Sequence, residues 1–141
     1  MLRATFLLAI FSVSIFTFSC KSKEQQQADE LKKEVEDLHD ELMKTTEDLV
    51  KLRTKLGKEL NQANNPIKRG KIKVSISLIN SAESFMEDWM KFYGNNKPKA
   101  DDSLDEAVKF YEKQLKELGR MEKEMNEALE KGKEQLEKLT E

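Results

Sequence analysis

Apolar residues recur four and three places apart along most of this chain, and that spacing limits the fold more than any other feature. Leu31, Val35, Leu38, Leu42, Leu49, Leu52 and Leu56 follow it with a single gap at Thr45. Residues spaced in this way share one face of an α-helix, and a row about four heptads long predicts a helix with a coiled-coil-like seam. Glu, Lys, Asp and Gln fill most positions in between, so the opposite face is wet. The row stops at Asn61-Gln62-Ala63-Asn64-Asn65-Pro66, where Asn65 is suited to cap a second helix and Pro66 to open it. Further on, Ser103-Leu104-Asp105-Glu106 has the spacing of a capping box, with Ser103 accepting from the third helical amide and Glu106 reaching back. A third row follows it: Leu104, Val108, Tyr111, Leu115, Leu118, Met125, Leu129, Leu136 and Leu139, weak only at Glu122 and Gly132.

The middle of the chain carries two conflicting signals. Lys71-Ile72-Lys73-Val74-Ser75-Ile76-Ser77-Leu78 alternates polar and apolar with β-branched residues, as a strand does. A lone strand would leave its backbone donors and acceptors without partners, and no second alternating run follows Cys20. At helical spacing, Ile72, Ile76, Ile79, Met86, Met90 and Tyr93 form one stripe broken by Glu83, while Leu78, Ala82, Phe85, Trp89 and Phe92 form another. The helix reading is the consistent one, and the wide apolar arc suits the helix that touches both others. Gly94-Asn95-Asn96-Lys97-Pro98 ends it. Three helices, at about 26–61, 67–93 and 103–139, joined by turns too short for anything but antiparallel neighbours, predict an all-α, up-down-up antiparallel three-helix bundle over residues 30–141.

Residues 1–19 are of another kind. They hold one charge, Arg3, and a nearly unbroken apolar run from Ala4 to Phe18, which is the pattern of a secretory signal and is short for a membrane span. Thr17-Phe18-Ser19-Cys20 resembles a bacterial lipobox, although Thr17 and Phe18 depart from its usual Leu and Ala/Ser. The resemblance implies cleavage between Ser19 and Cys20, lipid on Cys20, and a membrane as the first partner. Two or three acyl chains anchor stably where one is marginal. Lys21 stands where an Asp would hold such a protein at the inner membrane, so the same resemblance implies the outer membrane, facing the periplasm or the cell surface. Residues 20–29 then read as the lipidated Cys and a polar tether.

Composition removes whole classes of function. Lys and Arg number 25 against 27 Asp and Glu, a net charge of −2, which gives no concentrated cationic surface for nucleic acid. The chain has one His and one Cys, and it lacks a Gly-rich phosphate loop and an obvious nucleophile and base pair, so no enzyme is expected. Glu36-Asp37-Leu38-His39 has the Glu-x-x-His spacing of di-iron bundles, but such sites need two of these motifs and only one is present. Folding the first two helices back on each other sets His39 level with Asp88 and Met43 level with Ser84, with Met86, Trp89 and Met90 within about a turn. One imidazole and up to three thioethers, from His39, Met43, Met86 and Met90, suit a cuprous ion, and copper or haem is the cofactor such a layer would take. The plainer expectation is no cofactor: Met fills core gaps, Phe85, Trp89 and Tyr93 supply aromatic edges, and Asp88 is the carboxylate placed to bond His39.

The lipobox, the stretch from Val35 to Met43 (VEDLHDELM) and Met86-Glu87-Asp88-Trp89-Met90 together resemble small bacterial envelope lipoproteins labelled viral A-type inclusion proteins. The label reflects coiled-coil similarity, and the resemblance implies location and fold, not a mechanism. The expectation is a non-enzymatic lipoprotein that binds an envelope protein or acts as a spacer. The alternatives are a His/Met metal carrier and a self-associating coiled coil that forms a homo-oligomer.

Overall fold

The computed structural model describes residues 22–140, so the expected signal segment, with Ser19 at its expected cleavage point, and the expected lipidation residue Cys20 lie outside the described residues. The protein is an all-α, up-down-up three-helix bundle: α1 (Lys23–Gln62), α2 (Pro66–Asn96) and α3 (Leu104–Thr140). Each helix packs on the other two, and the parallel pair α1 and α3 shares the most extensive contact. The segment with strand-like alternation, residues 71–78, is helical throughout.

Each turn is closed by side chains. Asn65 Oδ1 accepts from the amides of Ile67 at 2.8 Å and Lys68 at 3.2 Å, with Pro66 as the first helical residue. From the first turn of α2, the Arg69 guanidinium donates to the carbonyls of Leu60 (2.8 Å) and Ala63 (3.1 Å), satisfying acceptors that the end of α1 leaves open. Ser103 Oγ accepts from the Glu106 amide at 3.3 Å to start α3.

The expected tether is a helix. Ser22 caps α1 by accepting from the Gln25 amide at 3.1 Å, Gln25 Nε2 donates to Asp29 at 2.9 Å one turn on, and Ala28 is already buried. A segment without large apolar residues is helical here because it is an extension of a helix that α3 holds, which requires no new nucleus.

The core is a single rod. Val35, Leu42, Leu49, Leu52 and Leu56 of α1 are buried as their spacing predicts. On α3 the innermost row is Ala107, Tyr111, Gln114, Leu118, Met121, Met125, Ala128 and Gly132. It shares Tyr111, Leu118 and Met125 with the row expected there and departs from it elsewhere, with Leu115 and Leu129 only half-buried. Glu122 therefore interrupts nothing, and Gly132 is a point of close approach. A Cβ on Gly132 would lie 2.5 Å from Cδ2 of Leu52 and 3.5 Å from Cδ1 of Ile79, so all three helices meet there.

On α2 the buried row is Ile72, Ser75, Ile79, Ala82, Met86 and Trp89. The broad arc expected of this helix is used in part: Ala82 and Trp89 of the second stripe are buried and Phe85 packs against the core, while Leu78 and Phe92 are exposed. As expected, α2 touches both other helices, α1 the less extensively. Glu83, the break in the first stripe, pairs with Arg53 of α1 at 2.8 Å, and the same guanidinium donates to Asn80 at 3.2 Å.

The glycines separate two physical effects. Nothing lies within 4 Å of a Cβ built on Gly57, so Gly57→Ala is expected to stabilise the bundle by about 0.5–1 kcal/mol through helix propensity. Gly132→Leu is expected to destabilise it by about 1–3 kcal/mol through overpacking against Leu52. Urea unfolding of both variants checks the pair.

Candidate functional site, a histidine and aromatic pocket between α1 and α2

Residues from all three helices form an aromatic cluster near the end of the bundle where α2 passes into α3. The His39 ring lies over Trp89 with centroids 5.4 Å apart, and Trp89 in turn stacks on Tyr93 at 4.9 Å. Tyr93 meets Phe110 at 5.9 Å, and Phe110 meets Tyr111 edge-on at 5.6 Å. The spacing Trp89–Tyr93 is one helical turn, so both rings leave α2 on the side that faces α1.

Beside this stack is a pocket of about 190 Å³, lined by Val35, Glu36, His39, Trp89, Met90, Tyr93 and Gly94. Two buried polar atoms of its lining, His39 Nε2 and the Tyr93 hydroxyl, have no hydrogen-bond partner. Buried polar atoms are paired in the great majority of cases, so two orphans on residues beside one pocket are unusual. Desolvation pushes the Tyr93 phenol up to about 12, with the nearby Tyr111 and Glu36 adding to it. Tyr111 is raised for the same first reason, reinforced by Glu36 and Asp29.

The carboxylate that bonds His39 is Asp40, not Asp88. Nδ1 of His39 and Oδ1 of Asp40 are 3.2 Å apart. Successive residues on a helix point about 100° apart, so with Trp89 turned to α1 its neighbour Asp88 is turned to the α2–α3 side. There Asp88 lines a groove with Phe85 and Arg120, and the Arg120 guanidinium sits 4.7 Å over the Phe85 ring. An ionised Asp40 accepts from Nδ1–H, which leaves the lone pair on Nε2.

The four residues considered for a metal are divided. His39 and Met90 line the pocket, while Met86 is fully buried in the core and Met43 is half-buried against it. Among the described residues no group of three or more His, Cys, Asp or Glu side chains is placed to hold a metal ion.

Gln114 is the residue of this cluster that spacing alone passed over. It is 1% exposed, and its Oε1 accepts from Trp89 Nε1 at 3.0 Å, which ties the stack to α3. The signal was present: Gln114 falls on the four-three row between Tyr111 and Leu118, and a polar residue on a seam needs a partner. Its Nε2 is a further buried atom without one.

No protein-family model, curated protein or solved structure matches the chain.

Because Tyr93 holds its proton to a higher pH when folded than when unfolded, its contribution to stability is intact below pH 10 and is lost as pH rises from 10 towards 12. Phenolate absorbance is expected to show a late step near 12 that Tyr93→Phe removes, and the variant's alkaline stability curve is expected to be flatter.

Proposed function

We propose that this chain is a non-enzymatic, lipid-anchored helical bundle of the bacterial cell envelope that acts by holding a partner protein at the His39–Trp89–Tyr93 pocket. The observation that carries this reading is the pair of unpartnered polar atoms, His39 Nε2 and the Tyr93 hydroxyl, at a small apolar pocket. Its rings offer an inserted side chain an almost wholly apolar surface, with the two unpaired atoms just behind it, which is the composition of an anchoring pocket at an interface. Anchoring rests on the apolar segment of residues 4–18 and on Cys20 after it. Among the described residues no helix is long and apolar enough to cross a membrane.

The wild-type chain is expected in the detergent-released membrane fraction and Cys20→Ser in the soluble fraction; a soluble wild type contradicts the anchor. Met90 is 37% exposed at the pocket, so Met90→Lys changes the pocket without touching the core. An envelope protein that co-purifies with wild type is expected to be lost from that variant, and equal retention by both contradicts the role of the pocket.

A second reading is favoured by the His39–Asp40 contact. A carboxylate on Nδ1 with Nε2 open is the arrangement of a metal-ligating histidine, and Met90 brings a thioether to the same pocket. A volume of about 190 Å³ is below the usual range for a large organic cofactor and suits an ion better than haem. Titration with cuprous ion against a competing chelator separates the readings: uptake that His39→Ala abolishes supports the metal, and uptake equal in wild type and variant ends it.

A further inference from the structure

We propose that two copies of this chain pair antiparallel along the outer stripe of α2. The stripe is Ile67, Lys71, Val74, Leu78, Ser81, Phe85, Asp88 and Phe92, spaced alternately four and three apart, as a second seam. Each of its members from Lys71 to Asp88 immediately precedes a member of the buried row, so the stripe lies about 100° around the helix from the core. Ile67 is 72% exposed and Val74 62%, and Leu78 and Phe92 are exposed as well. Single exposed apolar residues are ordinary, but a row of them at seam spacing over about 38 Å is not.

The order of residues within the stripe selects a second copy as its occupant. Reversed onto itself about a point between Leu78 and Ser81, the stripe sets Ile67 opposite Phe92, Val74 opposite Phe85, and Lys71 opposite Asp88. Two of the four pairs in each half thus set apolar on apolar and one sets a cation on an anion, while Leu78 meets Ser81 at the centre, and the pattern repeats about the two-fold axis. A parallel pair would instead place Lys71 on Lys71 and Asp88 on Asp88. Only the antiparallel arrangement brings Lys71 against Asp88.

This pairing uses a different face from the His39 pocket and does not depend on it or on the lipid. The polypeptide of residues 21–141 contains every helix and the whole buried core, so it serves for the test. Lys71 and Asp88 are both exposed, so their substitution is expected to leave the helical circular dichroism unchanged. In sedimentation equilibrium the wild type is expected to dimerise. Lys71→Glu and Asp88→Lys alone are each expected to weaken the dimer about tenfold or more, since each sets like charges opposite one another twice per dimer. The double variant, with the charges exchanged, is expected to return to within about threefold of wild type. A wild type that stays monomeric at every concentration, whether or not another protein binds the stripe, overturns the proposal. So does a dimer that the single substitutions leave intact, or one that the double variant fails to restore.

Discussion

The parallel contact of α1 with α3 is the constraint on which the rest of the structure depends. Leucines of α1 meet a row on α3 that contains Ala107, Ala128 and Gly132, and the lack of a side chain at Gly132 lets Leu52 and Ile79 close over it. Small residues at the contact bring helix axes close together, and interaxial distance follows the side chains between them. Once α1 and α3 are set side by side, α2 is held by what it adds at the edge: the Arg53–Glu83 pair, the stack of His39 on Trp89, and the Trp89–Gln114 bond. The last of these is a buried polar link in an otherwise apolar seam, and it fixes which way Trp89 turns.

That orientation of Trp89 governs both faces of α2. With the indole directed inward, His39 and Tyr93 come together on its two sides and line a pocket with their polar atoms unpaired. The same rotation of the helix sends Asp88, Phe85 and Phe92 outward, where they form one half of the outer stripe. The pocket and the exposed stripe are thus two results of one packing decision.

The bundle itself was legible because α1 writes its seam in leucine and because caps stand where turns need them, at Asn65-Pro66 and Ser103. What spacing misjudged was weight. On α3, Leu115 and Leu129 outweigh Gln114 and Ala128 on any hydrophobic scale, yet close helix approach favours the smaller residues and a specific hydrogen bond retains the glutamine. On α2, the inner and outer stripes are similarly apolar, and nothing within the helix says which one meets its own chain. The pairing of His39 with Asp88 failed for a related reason: being level along an axis says nothing of the direction around it. At the start of α1, low complexity concealed a helix that tertiary contact extends.

Distances between paired spin labels test the α1–α3 arrangement most directly. With Leu52 beside Gly132 in parallel helices, Lys33 of α1 is level with the first turns of α3, near Lys113, and distant from Lys133. Labels replacing Lys33 and Lys113 are expected to be close, and labels replacing Lys33 and Lys133 farther apart by about 30 Å, the rise of twenty helical residues. Equal distances, or the reverse order, would contradict the parallel contact and everything built on it.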